Sequence, residues 1–211
     1  MKVSRGMQEN RIIVGNVYDK YGSNNPIVRW LMKGFVESVS RMVDQAAPQT
    51  IHEVGCGEGY WVLTWTRLGI KAHGSDFSER VIELARENAK NQGISNSLFS
   101  TRSIYDIEPG RDSADLIVCC EVLEHLENPE AALRAIKKAA TQYVILSVPR
   151  EPLWRLLNFA RGNYLSSLGN TPGHIQHWSK SKFIDLVSQY FSIISISNPI
   201  PWTILLCDAR R

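Results

Sequence analysis

The stretch IHEVGCGEGYW, Ile51–Trp61, decides how the rest of the chain is read. It runs from an apolar, strand-like segment (Thr50–Val54) containing the acid Glu53 into Gly55-Cys56-Gly57-Glu58-Gly59, and then into helical spacing over Trp61–Leu68. Glycines lack a Cβ, so a ligand can press against their backbone, and the helix that follows offers unpaired N–H groups at its start. Two ligand classes fit such a turn, a dinucleotide and a sulfonium nucleoside, and charge separates them. A pyrophosphate would meet Glu53 and Glu58, and the spacing is G-x-G-x-G where dinucleotide sites have G-x-G-x-x-G. A ligand carrying a positive amine and a positive sulfur suits both acids.

Outward from the loop, strands and helices alternate. Ile70–Ser75 predicts a second strand, and Ser78 caps a helix that reaches Asn91 with Val81, Ile82, Leu84 and Ala85 on one face. Leu98–Ser100 is a short third strand. Asp115–Cys120 (DLIVCC) is a continuous apolar run of the kind buried on both faces of a parallel sheet. A helix over Pro129–Ala140 and a strand over Tyr143–Val148 follow. Lys180–Gln189 predicts a helix, and the short link between Phe191–Ser197 and Trp202–Cys207 makes those two runs an antiparallel pair. The expected fold is α/β, a doubly wound, seven-stranded, mostly parallel sheet with an antiparallel final strand. Residues 1–211 are expected to form a single domain: an N-terminal helical cover (1–48, with a helix over Pro26–Val43), a ligand-binding core (49–149), a lid (150–178), and a C-terminal helix with its strand hairpin (179–211).

Composition bounds the function. With 44% hydrophobic and 21% charged residues and no low-complexity tract, the 211-residue chain is not a disordered one. No apolar run approaches the roughly 18 residues of a membrane span, and MKVSRGMQENR lacks the apolar stretch of a signal peptide, so a cytoplasmic address is expected. Cys56, Cys119, Cys120 and Cys207 have neither metal-type nor disulfide-scaffold spacing and read as reduced core thiols. The net charge of +3 is unevenly spread: +4 over residues 1–41, −5 over 42–149 and +4 over 150–182. Two basic covers over one mouth would favour an anionic small molecule; as solvated helix faces they would favour nothing. With no aromatic RNA platform and no run of five basic residues, nucleic acid is not an expected partner. The sequence sets no oligomeric state.

Four further acids extend the site. Asp76 lies seventeen residues after Gly59, at the end of the second strand, where a carboxylate can accept both hydroxyls of a ribose; Phe77 offers a purine an apolar face. Ile104-Tyr105-Asp106 puts another carboxylate where an adenine amine can donate to it. At the end of the fourth strand stands Glu121-Val122-Leu123-Glu124-His125. On one helical turn, Glu121, Glu124 and His125 would share a face able to bind a divalent metal.

The series EVGCGEG, GSDFS, SIYDIE and ADLIVCCEVLEHLENPEAAL, in this order, resembles the class I S-adenosylmethionine-dependent methyltransferases, in particular the small-molecule group that includes the ubiquinone-pathway O-methyltransferases. The resemblance covers about residues 50–150. It implies a methyltransferase that moves a methyl group from S-adenosylmethionine (SAM) to a small, in one reading anionic, acceptor at oxygen, with transfer to nitrogen or carbon, a metal-assisted 2′-O-methylation of RNA, or a non-catalytic cofactor-binding subunit as alternatives. Glu53, Gly55, Gly57 and Gly59, with Cys56 between them, would hold the methionine portion. Asp76 would hold the ribose, and Phe77, Tyr105 and Asp106 the adenine. Tyr18 or Tyr21 would close over the cofactor.

The same resemblance extends to the E-x-x-E-H run, which matches the metal-binding run of the ubiquinone-pathway enzymes. In small-RNA 2′-O-methyltransferases a distal His with Trp four residues later completes that run, a position held here by His174 and Trp178. Glu121, Glu124, His125 and His174 are therefore the candidate metal ligands, and Glu121, His125 and His174 the candidate catalytic residues. Metal ligand, metal-free base (His125), cofactor contact (Glu121) and turn-capping residue all stay open. Tyr18, Arg150, Arg155, Tyr164 and His177 are candidate substrate contacts, with Arg161 and Asn163 beside them in the lid.

Overall fold

The computed structural model describes residues 1–9, 12–160, 168–171 and 173–210, with Ile12 and Ala160 described in backbone only. Near the N-terminus β1 (Gln8–Glu9) and β2 (Ile12–Ile13) form a small antiparallel hairpin, which the sequence did not announce. Helix α1 (Pro26–Ala46) follows. The Asn25 side chain accepts the N–H groups of Ile27 and Val28, and Pro26 sits in the first turn, where no N–H is needed. It extends three residues past the expected end at Val43; the chain leaves it only at Ala47, whose φ of 44° is left-handed.

The main body then runs β3 (Thr50–Val54), α2 (Tyr60–Arg67), β4 (Lys71–Asp76), α3 (Glu79–Lys90), β5 (Phe99–Thr101), β6 (Ala114–Cys120), α4 (Pro129–Ala139), β7 (Ala140–Pro149), α5 (Leu153–Ala160), α6 (Lys180–Ser188), β8 (Ser192–Ser197) and β9 (Trp202–Asp208). The sheet order is β5-β4-β3-β6-β7-β9-β8. Strands β3 to β7 pair in parallel, and β9 enters antiparallel between β7 and β8, so the expected seven-stranded sheet with an antiparallel final strand is the observed one.

Side-chain alternation along the strands builds two cores. Leu116 and Val118 of β6 face the side where Phe35 and Val39 of α1, Trp61 and Trp65 of α2 and Ile82 of α3 are buried. Ile117 and Cys119, one residue out of phase, face Leu133 and Ile136 of α4 and Phe183 and Val187 of α6. A strand buried on both faces must read as unbroken apolar sequence, which is why DLIVCC does. Among the described residues, no helix is long and apolar enough to cross a membrane.

Candidate active site

Strands β4 and β6 flank β3 on opposite sides, so the chain order reverses at β3 and a crevice opens beyond the carboxyl ends of these strands. It is a cavity of about 1340 Å³, walled by the glycine loop, the N-terminal strap before α1, the start of α1, and α5.

The loop after β3 folds back on β4: the N–H groups of Gly55 and Cys56 both donate to the Ser75 carbonyl, at 2.7 and 3.0 Å. Asp76 holds the next turn. Its Oδ2 accepts the Gly57 N–H at 3.1 Å and its Oδ1 the Ser78 N–H at 3.0 Å, which leaves each oxygen a further lone pair. Burial raises the Asp76 pKa, and the two backbone donors oppose that rise. The glycines divide their labour. A Cβ on Gly57 would meet only Asn16 Nδ2, at 3.8 Å, so its backbone is open to a ligand; one on Gly59 would lie 2.6 Å from the Phe99 ring, and Gly59 does not reach the cavity wall.

The two acids of the motif also part. Glu53 is 5% exposed, and its Oε2 has no hydrogen-bond partner. Burial pushes its pKa well up, the charge of Asp76 adds to this, and the charge of Lys20 works against it. Glu58, expected to face the ligand, instead accepts the N–H groups of Ser4 (2.9 Å) and Asn16 (2.8 Å) and the Asn16 side-chain amide (2.5 Å). It fastens the strap over the loop.

At the nucleoside end Phe77 and Tyr105 are exposed along the cavity wall. Asp106 is exposed and does not line the cavity; the short 3₁₀ turn Ile104–Asp106 presents Ile104 and Tyr105 there instead. On the strap, Tyr18 and Tyr21 both line the cavity; the Tyr18 ring is exposed, and Tyr21 is stacked on Tyr60 at 3.6 Å and set edge-on to Trp61.

At the opposite end Glu121, Glu124 and His125 do not share a helical face. Glu121 has a left-handed backbone (φ 60°), and only Leu123–His125 form a 3₁₀ turn. The Glu121 carboxylate turns to Trp202 Nε1 at 2.6 Å and Ser147 Oγ at 3.4 Å. Glu124 goes elsewhere. It is 2% exposed, and neither carboxylate oxygen has a hydrogen-bond partner. Together with His125 and His174 it forms a cluster whose potential ligand atoms all lie within 4.8 Å of one another. Burial, reinforced by the charge of Glu121, drives the Glu124 pKa well up; burial and the neighbouring His125 lower His174 to about 3. The backbone carbonyl of Glu124 accepts the N–H groups of both Ile175 and Gln176, which locks the His174 segment against the turn.

Among the described residues, the basic covers deliver no arginine to this space. The Arg150 backbone is tied to Trp178 and Pro201, Arg155 Nε donates to the Leu168 carbonyl, and His177 Nδ1 lies 3.6 Å from Glu151 Oε1; none of the three lines the cavity. Among the described lining residues only Lys20 and Arg102 carry Lys or Arg charges, against seven acids, and Arg102 is paired with Asp112 at 3.2 Å. Arg150 and Arg155 therefore lend the expected anionic acceptor no contact at this wall. Tyr164, Arg161 and Asn163 lie outside the described residues. Among the lining residues that the sequence did not mark as functional are Lys20, Trp154, whose ring stacks on His174, and Trp202. Only Lys20 carried a signal, between two tyrosines in YDKYG.

A model of the methyltransferase domain family matches residues 48–183. The ubiquinone biosynthesis O-methyltransferase of Shewanella sp. (strain ANA-3) is 31% identical over 97 residues, 44% of this chain and 41% of that protein. The enzyme of the same name from Cupriavidus pinatubonensis is 23% identical over 174 residues, 74% of this chain and 67% of its own length. The chain thus spans from about two fifths to two thirds of these curated relatives. Magnesium protoporphyrin IX methyltransferase from Synechocystis, solved with SAH bound, superimposes with a TM-score of 0.67 at 20% identity over 90% of both chains. With two thirds of its length matched by the family model and the seven-stranded sheet in place, this chain belongs to the methyltransferase domain family.

Proposed function

We propose that the protein transfers the methyl group of SAM to an oxygen of a small acceptor, and that a divalent metal held by Glu124, His125 and His174 takes part. Family membership supports the cofactor, and so does the wall that would receive it. The open backbone at Gly57 and the carboxylate of Asp76 take the ribose and the adjoining chain, Phe77 and Tyr105 take the adenine, and the unpaired oxygen of Glu53 takes the methionine ammonium. SAM supplies a methyl carbon on a sulfonium leaving group. The protein's part is to align that carbon with a nucleophile and keep water out.

One observation carries the metal: a carboxylate that is 2% exposed, has no hydrogen-bond donor on either oxygen, and lies against two imidazoles. A buried carboxylate without a partner is costly, and a cation between it and the rings removes the cost. His125 Nδ1 lies 2.9 Å from the Gly173 carbonyl. If it donates its proton there, Nε2 keeps a lone pair as ligand or base. A metal here would lower the pKa of an acceptor hydroxyl. Among the described lining residues only Lys20 and Arg102 carry Lys or Arg charges, too few to hold a phosphate backbone, which favours a small acceptor over nucleic acid.

Calorimetry with SAM and SAH tests the cofactor, and a screen of phenols and vicinal diols, run with and without exhaustive chelation, tests the chemistry. Binding of both nucleosides, with turnover that stops on chelation, is expected. Turnover that survives chelation removes the metal and leaves His125 as a metal-free base; binding without any turnover on any acceptor class leaves a cofactor-binding subunit.

A further inference from the structure

The basic covers turn their arginines away from the cavity, and apolar side chains on the same elements turn outward with them. On α5, Trp154, Leu157 and Asn158 line the cavity, which puts Leu156 and Phe159 on the opposite side of the helix, where both are more than half exposed. On α1, Val28, Leu31, Met32 and Phe35 line the cavity, while Ile27 stands at its rim and Trp30 outside it, both as open to solvent as Leu156. The two helices are neighbours across the link between β8 and β9. The Trp202 ring centroid lies 4.8 Å from that of Phe35 on α1 and 6.0 Å from that of Trp154 on α5, and the exposed Ile200 lies in the link itself. Leu168, exposed as well, is tied to α5 through its carbonyl, which accepts Arg155 Nε.

The charges on these turns are of one sign. Residues 26–36 hold Arg29 and Lys33, and residues 153–160 hold Arg155, with no acid in either segment. Arg29 and Lys33 are exposed, and Lys33 lies 3.8 Å from the Glu37 carboxylate one turn on. The two covers carry +4 each, whereas the core between them carries −5. Single apolar residues are ordinary on a protein surface, but a group of them on adjoining elements marks an interaction site. Leucine, phenylalanine and tryptophan among arginine and lysine is the composition that beds in the headgroup layer of a membrane, and the excess of basic charge selects an anionic one. We propose that this rim docks on an anionic lipid surface, its apolar side chains entering the headgroup layer and its basic ones meeting lipid phosphates. Docking of this kind needs no spanning helix, turns the cavity mouth toward the bilayer, and holds whichever atom of the acceptor is methylated.

The test is sedimentation of the full chain with phosphatidylcholine vesicles, with and without an equal part of phosphatidylglycerol. Binding to the anionic vesicles that weakens as salt is raised, with little binding to the neutral ones, is expected. Leu156→Ser combined with Phe159→Ser should weaken that binding about tenfold or more, since neither side chain can then enter the headgroups. Arg29→Gln combined with Lys33→Gln should weaken it by about the same factor and flatten the salt dependence. Thermal unfolding that matches wild type shows each variant to be folded, and the Arg29 and Lys33 pair, exposed on α1, carries the test if the α5 variant does not fold. Wild type that ignores anionic vesicles overturns the proposal. So does binding that the folded Leu156 and Phe159 variant retains in full, which is adsorption by charge alone. Light scattering supplies the last outcome: a wild-type dimer that the same variant turns into a monomer gives this face to a second copy of the chain, and overturns the proposal as well.

Discussion

Glu53 and Glu124 are both buried carboxylates with an oxygen left unpaired, and each makes a prediction that an ordinary surface acid would not. Burial pushes the Glu53 pKa well above the ordinary carboxylate range, and a cationic ligand beside it would favour the ionised form. SAH binding should therefore release protons, visible as a binding enthalpy that varies with the ionisation enthalpy of the buffer, and affinity should rise with pH. Glu53→Gln should weaken binding by about 1.5–3 kcal/mol and remove the buffer dependence. Binding that takes up no charge difference in any buffer would place Glu53 outside the ligand's reach. Glu124→Gln makes the complementary case. Removing an uncompensated buried charge should raise the melting temperature in chelator, while the extra stabilisation of wild type by added Mn²⁺ or Zn²⁺ should vanish in the variant. A wild type whose melting temperature ignores both ions would end the metal assignment.

At the scale of elements, the glycine loop was legible because its requirement is local: a strand, a turn with left-handed residues and a helix start leave their mark on consecutive residues. What the sequence could not distribute was the work of each glycine. Gly59 has a φ of 88° and faces Phe99, so Gly59→Ala meets both backbone strain and a 2.6 Å collision and should destabilise by more than about 2 kcal/mol. Gly57→Ala, with a φ of 53° and open space, should cost about 1 kcal/mol in stability yet lower cofactor affinity, because the new methyl projects where a ligand would pass. Urea denaturation and SAH titration on the same two proteins check the contrast. The E-x-x-E-H run misled for a related reason. Residue spacing implies a shared face only if the backbone is helical, and Glu121, at the end of a buried parallel strand, takes a left-handed conformation that throws its carboxylate toward Trp202. His174 stands 49 residues beyond His125, and its approach depends on lid contacts that no local pattern encodes.

Across the whole molecule, alternation of strand and helix made the doubly wound sheet and its antiparallel final strand readable, whereas the buried polar groups that tie its strands together were not, since a histidine in an apolar strand has no sequence signature of its own. His52 and His73 face each other across β3 and β4 with ring centroids 4.2 Å apart. His52 is fully buried, with Nδ1 2.9 Å from the Asp112 carbonyl and Nε2 2.8 Å from Ser75 Oγ, the residue whose carbonyl anchors the glycine loop. Burial, helped by His73, lowers His52 to about 4, and burial lowers His73 as well. Below its unfolded value near 6.5 the unfolded chain binds the proton and the folded one does not, so His52 withdraws stability as pH falls from about 6.5 to about 4, by roughly 3 kcal/mol at the end of that window. Glu53 and Glu124 act with the opposite sign, because carboxyls with raised folded values favour the fold at low pH. The net profile of wild type is thus a compensated one, and the informative quantity is the difference between wild type and His52→Gln in unfolding free energy at several pH values from 7.5 to 4.5. That difference should shrink as pH falls, because only wild type carries the imidazole that resists protonation. A difference constant across the range would mean that water reaches His52 in the folded protein, and that the staple between β3 and β4 does not couple the loop to pH.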